Sequence, residues 1–503
     1  MSPTPSSSDA LPNVDVPSGL PKNIHLIGLG GAGVSGAARI LAARGHRVTG
    51  HDLSDSEMLR ALNPLGIACS LGKSEALHLP PDAMLLGRSA AVPDSDPQVV
   101  EAKRRGIPVL KYAELLGQLL PPKLGLCVAG THGKTTTSWM LWHALREVAS
   151  ELQSPAPGAL VGGLNPSLAD ATTSPLGINA VAGEQGGAFC VEACEYDRSF
   201  HQLDPMGAII TNVEADHLDY FHNLETIERA FAIFAQRVHP RGLLVVSDSV
   251  PESVEFEAQS LVWRVGRELE IIPLENQNGL RRFRLRGPGW ATPIIHLAVP
   301  GGYNVENAAV AVGLAIGNVI TAKDAPARSE WPRIAAAAAR GVETFQGAGR
   351  RFEYWSAQGE RPLVHDYAHH PTEVRACLGA AEEAFEGAPR MVLFQPHQHS
   401  RTARFLDDFA AALAVADQVV IAPVYGARKH IDGLVFAGAE EMAATVNKLG
   451  GSACATSSLE EACALFAERL KSNGRAVGLI LGAGDVEGVR DDLVNRMAVC
   501  SLS

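Results

Sequence analysis

The chain has no Cys-x-x-Cys pair, no basic excess and no apolar run long enough to cross a bilayer, and each absence removes a class of protein. Its eight cysteines stand apart at 69, 127, 190, 194, 377, 454, 463 and 500. Cys190 and Cys194 alone cannot complete a zinc site, so the thiols read as free, as in a reducing compartment. Lys and Arg number 43 against 55 Asp and Glu, a formal net charge of −12. That balance disfavours a protein that coats nucleic acid, while leaving room for local cationic clusters around an anionic ligand. Nothing approaches the roughly 20 apolar residues of a membrane span. Residues 1–21, rich in Ser, Pro and Asp and without an apolar core, are expected to form a disordered leader and not a signal peptide. The expectation is a cytoplasmic enzyme with small-molecule substrates and no nucleic-acid, membrane or protein partner. What is present is an ordinary globular composition, 46% hydrophobic and 19% charged over 503 residues, a length that implies about three domains.

Alternating apolar runs and helix-forming stretches predict α/β architecture throughout. Ile24–Gly28 reads as a buried strand, Gly28-x-Gly30-x-x-Gly33 turns the chain into a helix, and Arg47–Gly50 is a second strand with Asp52 just past its end. Taken alone this unit fits a dinucleotide such as NAD, with the acid about 20 residues on placed for a ribose. Further α/β units follow to the Pro121-Pro122 break. A second region holds strand-like runs at Phe189–Glu192, Ala208–Thr211 and Leu243–Ser247, short strands over 251–300, an apolar helix at Asn304–Ile316 and an Ala-rich helix at 334–340. From about Phe345, strands at Leu363–His365, Met391–Phe394, Gln418–Ala422 and Ala476–Leu481 alternate with helices at Thr372–Phe385, Thr402–Ala416 and Leu459–Ser472. The predicted boundaries are 22–121, 122–344 and 345–503.

The most informative segment is Gly130-Thr131-His132-Gly133-Lys134-Thr135-Thr136, between the apolar run Leu124–Val128 and a helix-forming stretch. Strand, glycine turn and helix make a phosphate cradle: backbone N–H groups approach the oxyanions and the helix N-terminus adds partial positive charge. Lys134 is placed to neutralise a β/γ-phosphate, and Thr135 or Thr136 to put a hydroxyl on Mg²⁺. The usual loop has a glycine five residues before Gly133; here Val128 stands there, so the loop is a short variant unlike that of ordinary GTPases and motor ATPases. Glu192 and the run Asn212-Val-Glu214-Ala-Asp216-His217 end strands near this loop and suit Mg²⁺, which takes few protein ligands beside phosphate oxygens. Arg350-Arg351 lies where the second region hands over to the third, placed to cross onto a γ-phosphate. Asp366, at a strand end, can accept bonds from a nucleotide ribose or base. The clusters His365–Thr372 and Phe394–Thr402 carry several histidines, but Pro and Arg interrupt both, and hydrogen bonding to an anionic substrate accounts for them better than zinc.

Together these motifs resemble the Mur ligase family, ATP-dependent amide-forming enzymes of peptidoglycan precursor synthesis. The resemblance covers roughly residues 22–490 and rests on Gly28–Gly36, Ser89–Pro93, Gly130–Thr137, Thr211–His217, Gly349–Phe352, Asp366–Thr372, Phe394–His397 and Ser400–Thr402. It implies a Rossmann-like N-terminal domain, a central P-loop-type ATP-binding α/β domain and a Rossmann-like C-terminal domain. It reassigns the first glycine loop, with Gly28, Gly30, Gly31, Ala32, Gly33, Asp52 and Ser89 on a UDP-sugar in place of NAD. It puts Gly130 to Thr136 on ATP, Lys134, His217, Arg350 and Arg351 in catalysis, and Thr135, Thr136, Glu192 and His217 on Mg²⁺. Asn304 and Asn307 match adenine-side asparagines, Asp366 the ribose acid, and His369, His370, His397 and Arg401 the amino-acid side. In the branch that fits best, UDP-N-acetylmuramate and L-alanine are the substrates; a tripeptide acceptor is the nearest alternative, and a nicotinamide oxidoreductase or a non-catalytic nucleotide-binding regulator the more distant ones. Tyr303, His365, Cys194 and Tyr196 depart from the family pattern. Glu225–Arg237 contains no lysine, where many relatives carry a carbamylated one.

Overall fold

The computed structural model describes residues 19–170, 174–254, 256–277, 279–356, 361–426 and 438–498. It contains three α/β units in series, as the alternation of apolar runs predicts. The expected leader lies outside the described residues up to 18. Its last residues do not fit that expectation, because Leu20 is buried and the Pro21 carbonyl meets His46 Nδ1 at 2.8 Å. Leu20 and Pro21 therefore already pack on the first unit.

The first unit is a five-stranded parallel sheet with Asn23–Ile27 at its centre, flanked by Arg47–Asp52 and Leu85–Arg88. Helix Ala32–Ala43 leaves the first strand over the glycine loop and packs on the second unit: a Cβ on Gly36 would sit 3.3 Å from Leu160 and 3.4 Å from Ala180. One apolar cluster runs through both, from Leu26 and Val34 to Leu160, Ala180 and Phe189.

The second unit is a seven-stranded sheet built around Gly125–Ala129, with Phe189–Glu192 on one side and Gly207–Ile210 on the other. These three runs are apolar at nearly every position, as strands covered on both faces must be. Helices Lys134–Leu152, Tyr303–Ile320 and Trp331–Glu343 cover one face. The region 251–300 resolves into Leu261–Arg264, which joins this sheet, and a small antiparallel sheet of Glu270–Gln277, Leu280–Gly287, Trp290–Ala291 and Ile295–Leu297. Strands Gly158–Asn165 and Ile178–Val181 were not legible, since glycines and turn residues dilute their apolar pattern.

The third unit is a six-stranded sheet, parallel except for the edge strand Glu353–Ser356. The expected helix 402–416 is two helices, His399–Arg404 and Leu406–Leu413, broken at Phe405. The handover expected at 345 falls a few residues later: Phe345 and Ala348 pack in the central core, Phe352 in the C-terminal one.

Candidate active site

The phosphate loop joins the strand Gly125–Ala129 to helix Lys134–Leu152. Gly130 and Gly133 have φ of +147° and +80°, and a Cβ on Gly130 would stand 1.9 Å from Thr211 Oγ1. Only glycine fits there. Asn212 braces the turn, accepting from the His132 amide at 2.7 Å and donating to the His132 carbonyl at 3.1 Å. Lys134 Nζ folds over the loop onto the Gly130 and Thr131 carbonyls, at 2.6 and 3.0 Å, and pairs with Glu195 at 2.9 Å. Burial disfavours the ammonium, but Glu195, Cys194 and Glu192 outweigh it and hold its pKa above the ordinary lysine value.

Glu192, at the end of its strand, accepts from Thr135 Oγ1 at 2.9 Å and from the Gly162 amide at 2.8 Å. His217 Nε2 lies 3.7 Å from both Glu195 Oε1 and Asp216 Oδ2. Burial, only partly offset by those acids, lowers the His217 pKa, so the ring is neutral and able to ligate at neutral pH. Hydroxyl, carboxylates and one neutral imidazole around the loop lysine make an oxygen-rich donor set of the kind Mg²⁺ takes. Thr136 faces the neighbouring cavity instead of Glu192.

That cavity opens from the loop towards the linker between the second and third units. Gly133, Thr136, Asn304, Asn307, Arg351 and Asp366 line it, together with Tyr303. Asn304 Nδ2 donates to the Pro300 carbonyl at 2.6 Å, and Asn307 Nδ2 to Asn304 Oδ1 at 3.1 Å. Asp366 accepts from the Phe352 and Ala368 amides at 2.8 and 2.9 Å. Burial, only partly offset by Arg351 and those amides, pushes its carboxyl up to about 6. With Asp366 in the expected role of ribose acid, a hydroxyl needs the ionised form as acceptor, so nucleotide binding would expel a proton below that pH. The KM for ATP is expected to be flat above about pH 7 and to rise by up to about tenfold per unit below 6. Asp366→Asn should weaken binding at neutral pH and remove that slope, which initial-rate measurements from pH 5 to 8 would show.

The tandem arginines part company. Arg351 faces the cavity and approaches Glu373 at 3.5 Å. Arg350, at φ +63°, turns away to Glu487 at 2.7 Å, and its amide donates to Glu353. The expectation that either could cross onto the phosphate narrows to Arg351, because the left-handed backbone at Arg350 sends its side chain out to Glu487 while Arg351 lines the cavity. Arg351→Ala is expected to lower kcat about 10²-fold, and Arg350→Ala by less than about fivefold, as fits loss of a half-exposed pair. Equal losses in steady-state assays would refute the division.

The C-terminal histidines reach the phosphate loop through helix Pro371–Ala384. His369 Nδ1 meets the Tyr367 carbonyl at 2.8 Å, and burial lowers its pKa to about 4. The His370 ring lies 4.8 Å from the His132 ring, and the His397 ring stacks at 5.7 Å on Tyr425. His132, Glu214 and His370 each offer a donor atom within one 4.8 Å cluster. Arg401 NH2 reaches Asp216 of the second unit at 2.9 Å, both side chains 7% exposed. Arg401 is therefore an interdomain ion-pair partner here, not the free amino-acid ligand expected from its motif.

In the first unit, Gly28 has φ +78° and a Cβ there would lie 2.8 Å from Ser89 Cβ. Gly31 caps helix Ala32–Ala43, leaving this N-terminus suited to a diphosphate. Asp52 braces this loop: its Oδ2 accepts from the Gly30 amide at 2.7 Å and its Oδ1 from the Leu53 amide at 2.7 Å. A Cβ on Gly33 would strike the Tyr112 ring at 2.6 Å. The Tyr112 phenol is pushed up by burial and then by Glu192 and Cys194, which places this loop beside the carboxylates of the second unit. Asn212, Glu214 and Glu195 stood in the strand-end runs read from sequence as Mg²⁺ candidates, whereas Asn212 braces the loop and Glu195 pairs with Lys134; Glu373 was not singled out, and no signal for it existed.

Fold and site together define a three-domain ATP-dependent ligase, and the chain belongs to the Mur ligase family. Residues 23–123 match the Mur ligase family catalytic domain, 128–315 the Mur ligase middle domain and 350–484 the Mur ligase glutamate ligase domain. The UDP-N-acetylmuramate–L-alanine ligase of Carboxydothermus hydrogenoformans is 35% identical over 94% of this chain and 96% of its own length. The enzyme of that name from Rubrobacter xylanophilus is 34% identical over 94% and 100%. The solved UDP-N-acetylmuramate-alanine ligase of Thermotoga maritima superposes with TM-score 0.73 at 26% identity, covering 95% of this chain and 99% of that one.

Proposed function

We propose that the chain joins L-alanine to the lactyl carboxylate of UDP-N-acetylmuramate, with cleavage of ATP to ADP and phosphate. The observation that carries this reading is one cavity with the Lys134 loop at one end and Asp366 at the other, closed by Arg351 from the interdomain linker. The likeness to relatives bearing that name over almost their whole length supports the choice of substrates.

The lactyl carboxylate attacks the γ-phosphorus, ADP leaves, and an acyl phosphate forms; the amine of L-alanine then attacks the acyl carbon and phosphate departs. Carboxylate and triphosphate repel one another, so the chain must supply fixed cations where charge develops. Lys134, folded over the phosphate loop, and Arg351, on the cavity wall, supply them, while the Gly28–Gly33 loop holds the UDP diphosphate at a helix N-terminus. Thr135, Glu192 and His217 are placed to hold Mg²⁺, which when bound offsets phosphate charge. The C-terminal unit covers the loop through Arg401 and Glu373, excluding the water that would hydrolyse an acyl phosphate.

Phosphate release from ATP should require both UDP-N-acetylmuramate and an amino acid, with L-alanine best and glycine and L-serine slower, since one methylene separates substrates by only about 1–3 kcal/mol. Without amino acid, hydroxylamine should trap a UDP-muramyl hydroxamate. Preference for a tripeptide would move the chain to another branch of the family, and ATP cleavage with no trappable intermediate would remove the acyl phosphate.

A further inference from the structure

Glu373 is a buried carboxylate from the C-terminal unit that reaches into the phosphate loop of the central one. Its Oε1 takes His132 Nδ1 at 3.1 Å and lies 3.5 Å from Arg351 NH1. Its Oε2 accepts from the His369 amide at 3.0 Å and lies 3.2 Å from His369 Nδ1. The His132 side chain is 11% exposed and that of Glu373 10%. His132 Nε2, the other ring nitrogen, is buried and has no hydrogen-bond partner, the Glu214 carboxylate standing 3.8 Å from it. It belongs to a residue that lines the nucleotide cavity. A buried polar atom left without a partner is costly, and a phosphoryl oxygen is a natural acceptor in a cavity walled by the phosphate loop.

We propose that Glu373 is a positioning residue, which on docking of the C-terminal unit aims the His132 ring so that its Nε2–H meets a phosphoryl oxygen of ATP. This rests on the function proposed above and gives the closed cleft a second task besides excluding water. The docked domain arms the phosphate loop with a cation that the loop alone would not keep. Isolated in so buried a place the imidazole would be neutral, since desolvation disfavours its charged form. Glu373, then Glu214 and Asp216, reverse that and raise the His132 pKa, while His369, His132 and Arg351 outweigh burial and hold Glu373 well below the ordinary glutamate value. The groups facing His132 are Glu373 and the His370 ring from the C-terminal unit and Glu214 and Asp216 from the strand-end loop. Asp216 is already paired with Arg401, and Glu373 at 3.1 Å lies nearer the ring than Glu214 at 3.8 Å.

The test uses the full-length chain and two readouts. Calorimetry of Mg-ATP binding without the other substrates is independent of the ligation reading. Between pH 6.5 and 8 the affinity of Glu373→Gln should fall earlier than that of the unmutated chain, because its His132 loses the carboxylate that raises the imidazole pKa; at pH 7.5 the variant should bind about tenfold more weakly. In the ligation assay Glu373→Gln should lower kcat about 10²-fold at pH 8 and several-fold less at pH 6.5, where bulk protons restore the imidazolium. His132→Gln should show a similar loss with no pH slope, and Glu373→Gln added to it should cost less than about twofold more. Glu373→Asp should recover part of the activity. A pH-independent loss, or losses that multiply in the double variant, would overturn the proposal. A gain in ATP affinity on Glu373→Gln would also overturn it, because Glu373 would then be an anion standing in the phosphate's place. If the unmutated chain binds Mg-ATP but does not ligate, the function reading fails while the binding arm still decides the role of Glu373.

Discussion

Lys134→Ala is expected to lower kcat by at least about 10²-fold, the usual effect of removing one preorganised donor from the developing charge. A surface loop would lose only that charge, and the sequence gives no reason to expect more. In the structure Lys134 is the counter-ion of Glu195, at 2.9 Å with side chains 14% and 4% exposed. Alanine therefore leaves Glu195 buried without its cation, and breaking a buried pair from one side costs about 3–5 kcal/mol. At about 2–4 °C per kcal/mol for a domain of this size, melting should fall by roughly 6–20 °C. The double variant Lys134→Ala, Glu195→Gln separates the two effects. It should recover most of the melting temperature and none of the turnover. Recovery of activity with stability would mean that Lys134 matters only as a structural partner.

Asp216→Asn should have an effect of similar size by another route. Asp216 and Arg401 belong to different domains, and each is nearly sealed from water. Burial alone would raise the Asp216 carboxyl, yet Arg401, His217 and His369 hold it below the ordinary aspartate range. Asparagine strands the guanidinium at the domain interface, at about 3–5 kcal/mol. The C-terminal unit has other anchors on the central one: Thr372 to Glu214 at 2.7 Å, His132 to Glu373, and Arg281 to Glu383. The cost should therefore fall on docking, with each domain still folded. The expected results are a kcat loss above about 10²-fold, a larger radius of gyration in solution scattering and faster proteolysis near Gly349. Arg401→Met should give the same phenotype. A rise confined to the KM for L-alanine would return Arg401 to the amino-acid site.

The histidine-rich segments show where reading from sequence stops. The motif at 365–372 placed His369 and His370 at a strand end before a helix, and the structure agrees: Leu363–Asp366 runs into Pro371–Ala384. It could not say that His370 meets a ring 238 residues earlier in the chain, or that His365 stacks on Trp355 at 4.6 Å, both its ring nitrogens unpartnered. Likewise the pair Arg350-Arg351 was visible as charge, but one positive-φ residue decides which arginine faces the cavity.

What the sequence determined by itself is local: three α/β units, the glycine turns that only a missing Cβ permits, and the strand-end acids and histidines. These follow from near-neighbour sterics and from apolar periodicity, both written in consecutive residues. The tertiary structure alone decided the partners: Glu195 on Lys134, Glu373 on His132, Asp216 on Arg401, and Asp52 turned inward onto Gly30. A buried charge takes its pKa and its orientation from whatever the fold brings within a few ångströms, and residues 22 to 241 positions apart in the chain carry no trace of that approach in either segment.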